Sequence, residues 1–205
     1  MQSFIIGITG GSGSGKTSFI SNLKNNFKPH QVCFISQDDY YKPRQYQATD
    51  SAGVSNFDLP QSIFNEDLHT DLCKLKEGKA IQREEYTFNN HSLKPKILHF
   101  NPAPIIIVEG LFILYFDEIR KMLDLSLFIQ AKDNLKIIRR IRRDQSERNY
   151  PIDDVLYRYE NHVMPAYEKY IKPFEEEVDI IINNNKHFDQ ALQVVKGFIT
   201  NYLSK

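Results

Sequence analysis

Residues 7–18 read GITGGSGSGKTS, glycine and serine wedged between an apolar run and a helical pattern. Gly10, Gly15, Lys16 and Thr17 fit the spacing G-x-x-x-x-G-K-[ST], in which a flexible loop turns consecutive backbone N–H groups inward onto phosphate oxygens. Glycine tolerates the positive φ angles and close approach that such a cradle needs. The loop is expected to hold a nucleotide through Gly10, Gly11, Ser12, Gly13, Ser14, Gly15, Lys16, Thr17 and Ser18. Lys16 adds a point charge near the β- and γ-phosphates and Thr17 a hydroxyl for Mg²⁺, while the helix that follows aims its positive end at the phosphates. A glycine-rich turn or a dinucleotide loop is the competing reading, since GGSGSG contains a fragment of G-x-G. Context selects against it: SFIIGIT before the loop reads as a buried strand, and Phe19, Ile20, Leu23 and Phe27 recur at helical spacing after it.

The same alternation continues along the chain. QVCFIS, PIIIVEG, LSLFIQ and VDIIIN read as four more buried strands. Helical patterns cover 63–75, 116–123, 134–143, 152–170 and 187–203, the first opened by Pro60 and the fourth by Pro151. Together these predict an α/β P-loop NTPase fold: a parallel five-stranded sheet with helices on both faces. IQREEYTFNNHSLKPKILHF, residues 81–100, is polar, aromatic and broken by Asn89, Asn90 and Pro95; it reads as an inserted β-hairpin. Residues 42–56 read as a mobile loop beside the site.

Length and charge narrow the partners. A chain of 205 residues suits a single domain, and Lys plus Arg equals Asp plus Glu at 26 each, which argues for a small-molecule substrate and against nucleic acid or a membrane surface. Cys33 and Cys73 have neither C-x-x-C nor zinc-ligand spacing and read as buried reduced thiols. No signal-like N-terminus or membrane-length apolar run is present, so the expectation is a cytoplasmic protein.

Ligands of such sheets gather beyond the carboxyl ends of the strands, where Gly10, Asp38 and Glu109 fall. Asp38 and Asp39 follow the second strand, and a phosphoryl acceptor's hydroxyl needs a carboxylate base. Glu109, ending IIIVE, is placed to hold Mg²⁺ directly or through water. The run IIRRIRRDQSER carries Arg139, Arg140, Arg142, Arg143 and Arg148; Arg140 and Arg143 share a helix face, with Arg148 beyond them on an Arg-rich lid over 143–152. A charge run is commonly a solvated face, but beside a phosphate loop guanidinium groups serve as bidentate clamps.

GITGGSGSGKTS, ISQDDYYKP, NFDLPQSIF, YTFNNHS, VEGLFIL and RRIRRDQSER stand in the order and spacing of the uridine kinase family, related to phosphoribulokinases, and the chain resembles that family over most of residues 4–183. The resemblance implies transfer of the γ-phosphoryl of ATP to the 5′-hydroxyl of uridine or cytidine, often by a homotetramer. By motif, Asp38 resembles the catalytic base, and Thr17 and Glu109, with Asp38, the Mg²⁺ side. Asp58 and Arg140 would hold ribose hydroxyls; Tyr41, Tyr86 and His91 would frame the pyrimidine; Lys16, Arg143 and Arg148 would meet the phosphates.

The chain departs from the family where S-E-R-G-R is replaced by Ser146-Glu147-Arg148-Asn149-Tyr150, where Phe174-Glu175 follows Pro173, and where Ser92-Leu93 follows His91. MQSFIIGITG, ISQDDYYKP and HVMPAYEKY are also similar to nicotinamide riboside kinases, the alternative among small-metabolite P-loop kinases. A nucleotide-dependent switch would carry N-K-x-D, yet Asn185-Lys186 is followed by His187-Phe188. Asp50 to Gly53 does match D-x-x-G, within a polar stretch with no strand read before it.

Overall fold

The computed structural model describes residues 3–88, 94–148 and 150–205, with the side chains of all but 147 and 148. Five strands, β1 (Phe4–Thr9), β2 (Val32–Ser36), β7 (Ile105–Glu109), β8 (Leu125–Gln130) and β9 (Ile180–Asn183), form one sheet in the order β2-β7-β1-β8-β9. Every pairing is parallel. The expected sheet is therefore found.

Side chains alternate between the two faces of a strand, and the core divides accordingly. Ile5, Ile106 and Val108 point to one side, where Leu68, Leu72 and Leu75 of α2 (Asn65–Lys76) cover them with Phe112, Tyr167 and Ile171. Ile6, Ile8, Ile105 and Ile107 point to the other, beneath Phe19 and Leu23 of α1 (Lys16–Lys24) and Leu192, Val195 and Ile199 of α7 (Asp189–Leu203). Strands buried on both faces need such continuous apolar runs, which is why β1, β2, β7 and β8 were readable; β9, expected to be buried as well, is an edge strand in which only Ile182 is buried while Ile180 and Ile181 are exposed. Cys33 is buried within the first layer and its thiol is pushed up to about 11 by desolvation; Cys73 is only half-buried, a departure from expectation because it lies on the outer flank of α2.

Two short antiparallel pairs interrupt the alternation. β5 (Ile81–Glu84) pairs with β6 (Ile97–Phe100) within the segment read as a hairpin. β3 (Ala48–Thr49) pairs with β4 (Ser55–Asn56) in the stretch read as loop, because the Asp50 carboxylate caps the turn between them. After α3 (Asp117–Arg120), α4 (Asp133–Arg148) runs five residues past Arg143, so much of the expected lid range is helix. The pattern read as one helix from 152 is composite: α5 (Ile152–Arg158), a wide turn at Tyr159–Val163, α6 (Met164–Ala166) and a second wide turn at Tyr167–Ile171. Pro165 lacks an N–H and its ring crowds the carbonyl four residues back, and the wider turns relieve that conflict. Among the described residues, no helix is long and apolar enough to cross a membrane.

Candidate active site

A cavity of about 530 Å³ opens beyond the carboxyl ends of β1, β2 and β7. Ser12, Gly13, Gly15, Lys16, Thr17 and Ser18 form one wall. At Gly13 φ is +78°, and a Cβ there would strike the Lys136 carbonyl of α4. At Gly15 φ is +103°, and a Cβ would enter the side-chain amide of Asn184, which itself donates to the Ser14 carbonyl at 2.8 Å. The loop thus needs glycine for both conformation and space. Gly10, Gly11 and Ser14 shape it from behind rather than lining the cavity.

Lys16 folds back over the loop, donating to the carbonyls of Gly10 at 2.8 Å and Gly11 at 3.3 Å. Burial lowers its pKa, opposed by the carboxylates of Glu109 and Asp38. Glu109 lies at the end of β7 and is pushed up to about 7, chiefly by desolvation and then by the neighbouring charge of Asp38; Lys16 and the Ser36 hydroxyl pull the other way. Ser36 links the two acids: its hydroxyl donates to Glu109 Oε1 at 2.5 Å and accepts the Asp38 N–H at 3.2 Å. Two mutually repelling carboxylates beside a lysine and the Thr17 hydroxyl are a hard, oxygen-rich donor set. Among the described residues no cluster of three or more His, Cys, Asp or Glu side chains forms a complete metal cage. The arrangement fits Mg²⁺, which is held by one or two carboxylates together with water and phosphate oxygens.

The two aspartates ending β2 diverge. Asp38 lines the cavity, whereas Asp39 faces the β5–β6 insertion. The Asp39 side chain accepts the Tyr86 N–H at 3.3 Å, and its carbonyl accepts Arg83 Nε at 2.8 Å. The Arg83 guanidinium also stacks 3.6 Å from the Tyr40 ring centroid. Burial pushes the Asp39 carboxyl up to about 6, with the Tyr86 N–H opposing. Tyr86 is thereby carried to the cavity, where its ring lies 5.4 Å from Tyr41 and 5.2 Å from Phe88. Phe57 stands 6.3 Å from Tyr41, completing an aromatic wall. His91 lies outside the described residues, as do Ser92, Leu93 and Asn149.

Arg140 and Arg143 both line the cavity from α4. Arg140, only 7 % exposed, donates through Nη1 to Ser12 Oγ at 2.9 Å and stands 3.8 Å from Asp58 Oδ1. Asp144, 2 % exposed, pairs with Arg140 Nε at 3.1 Å and with Arg143 at 2.9 Å. A buried carboxylate therefore orients both guanidinium groups, a feature no motif announced. Arg148 ends α4, and its side chain lies outside the description. Leu111, Tyr150 and Arg158 also line the cavity without having been singled out as ligands, as does Arg139 from the run read as phosphate clamps. Arg139 donates to the Ser14 and Asn184 carbonyls at 3.4 and 3.0 Å, bracing the loop.

Residues 5–191 match the Phosphoribulokinase / Uridine kinase family. The chain is 33 % identical over 204 residues to a uridine kinase of Staphylococcus epidermidis, covering all of this chain and 99 % of that one. It is 36 % identical over 198 residues to a uridine kinase of Borrelia turicatae, covering 95 % and 93 %. Its fold is similar to that of phosphoribulokinase from Rhodobacter spheroides, with a TM-score of 0.62 at 18 % identity over 89 % of this chain and 70 % of that one.

Proposed function

The chain belongs to the phosphoribulokinase and uridine kinase family and is an ATP-dependent kinase; on that premise we propose that it phosphorylates the 5′-hydroxyl of uridine or cytidine, as a step of pyrimidine salvage. The observation that carries the reading is the cavity's division into two ends. Lys16, Glu109 and Asp38 interact electrostatically at one end, while Tyr41, Tyr86, Phe57 and Asp58 form the other. A flat ring with a polar sugar suits the second end.

Phosphoryl transfer is positioning plus charge neutralisation. The loop N–H groups and Lys16 hold the donor phosphates; Arg143, oriented by Asp144, faces negative charge that builds during transfer. Asp38 accepts the proton of the attacking hydroxyl at its carboxylate. Asp58 and Arg140 hold the ribose hydroxyls, and since Arg140 also touches Ser12 it couples the acceptor wall to the phosphate loop. Thr17, Glu109 and Asp38 would hold Mg²⁺, which when bound neutralises phosphate charge. Tyr41 and Tyr86 pack against the base.

Nucleoside monophosphate formation from uridine, cytidine and nicotinamide riboside with ATP and Mg²⁺ tests the reading. Product from the two pyrimidine nucleosides is expected. Product from nicotinamide riboside alone would sink it.

A further inference from the structure

The Asp50–Gly53 match to D-x-x-G has no part in the reaction above, yet it forms the tip of the β3–β4 hairpin. Asp50 Oδ1 accepts the N–H groups of Ala52 and Val54, both at 2.9 Å, and Gly53, at φ +76°, donates to the Asp50 carbonyl at 3.0 Å. The other oxygen reaches a remote segment. Asp50 Oδ2 accepts the Tyr157 hydroxyl at 2.9 Å and meets His162 Nε2 at 2.7 Å. Since an ionised carboxylate only accepts, Nε2 carries the proton. A third link runs from Arg158 Nη1 to the Ser55 carbonyl at 2.9 Å.

This cluster is built rather than incidental. His162 is 2 % exposed and sits in the wide turn that follows α5, with its ring 6.0 Å from that of Tyr157. Although partial burial pushes the Asp50 carboxyl up, the donors from Val54, His162, Tyr157 and Ala52 prevail and hold it at about 2. The hairpin has only two paired residues per strand, too few to persist unaided. Its last strand leads directly into Phe57 and Asp58, and the Asp58 N–H donates to Asn56 Oδ1 at 2.9 Å.

We propose that Asp50, Tyr157 and His162 act as a strap whose task is to position Phe57 and Asp58, making β3–β4 a specificity element of the acceptor pocket. The three are positioning residues, because the strap bonds reach no reacting atom. The inference rests on the reading of the Phe57–Asp58 wall as the acceptor side.

Hydrogen exchange over residues 48–58 and steady-state kinetics, measured on the same variants, test it. In His162→Leu, exchange over 48–58 should accelerate and the KM for uridine should rise, each by about tenfold, the factor expected when one charge-assisted hydrogen bond is lost, and Asp50→Ala, which removes the acceptor of all four bonds, should exceed it in both. The KM for ATP should stay within about twofold, since the strap does not touch the phosphate loop. His162→Gln, whose amide can donate to Asp50 from nearly the same place, should recover most of both effects. Tyr157→Phe, which removes only a hydroxyl and retains the ring, should give a smaller shift in the same direction and guards against a variant that fails to fold.

Unchanged exchange over 48–58 would overturn the strap. Faster exchange with an unchanged uridine KM would overturn its positioning role, as would an equal rise in KM for ATP, or a His162→Gln protein that behaves like His162→Leu. Should the wild type turn over no nucleoside, the acceptor reading fails by itself, and exchange at Phe57 and Asp58 still decides whether the strap holds them.

Discussion

The hydroxyl of Ser36 lies 2.5 Å from Glu109 Oε1, joining the ends of two adjacent strands at the floor of the cavity. Because the same oxygen accepts the Asp38 N–H, one small side chain sets the spacing of both acids. Ser36→Ala should lower activity by about 10–100-fold at limiting Mg²⁺ and less at saturating Mg²⁺, as for other groups that orient a metal ligand. A Mg²⁺ titration of the initial rate checks this; an unchanged titration curve counts against Glu109 as a metal-side residue.

Asp38→Asn should retain ATP binding by calorimetry while kcat drops by about 10²–10⁴-fold, because the amide cannot take the hydroxyl proton. Asp39→Ala should behave differently: loss of the Tyr86 contact loosens the β5–β6 insertion and raises the nucleoside KM with a smaller effect on kcat. If the two variants exchange phenotypes, the base is Asp39.

Arg143→Ala should reduce kcat by more than it changes the uridine KM, since the group is assigned to charge that develops in the transition state. Asp144→Asn should follow in the same direction with a milder loss, as it leaves both guanidinium groups without the anion that aims them. Saturating-substrate rates distinguish these from simple binding defects. Arg143→Ala with wild-type kcat would return that arginine to surface charge.

Acid should unfasten the β3–β4 strap. A carboxyl held at about 2 in the folded protein, below its value near 4 in the unfolded chain, contributes stability that is complete above about pH 5 and declines as pH falls through 4 toward 2. The melting-temperature gap between wild type and Asp50→Asn should therefore be widest above about pH 5 and narrow as pH falls from 4 to 3. A gap that is constant with pH would show that Asp50 is not held ionised by its donors.

The sheet and the phosphate loop were legible because each rests on a local pattern: β-branched runs for the buried strands, and glycines followed by Lys16 and Thr17 for the loop. Asp38 and Asp39 could not be told apart by local pattern. What separates them is a contact between Asp39 and Tyr86, 47 residues away. Distance along the chain likewise hid the strap, whose bonds span 107 and 112 residues. Nothing in the arginine-rich run marks Asp144, and only its burial between two arginines reveals its part. Phe57 stands within the NFDLPQSIF motif beside Asp58, but its place in the aromatic wall is visible only in the fold.

The lysine of the phosphate loop occupies itself with two carbonyls of that same loop. The arrival of a nucleotide then exchanges one set of partners for another instead of gathering a disordered segment, so little conformational entropy is surrendered on association. Phosphate capture by such a preformed cradle should be quick and weakly dependent on viscosity-controlled loop closure, leaving the slower, discriminating events to the acceptor side of the cavity.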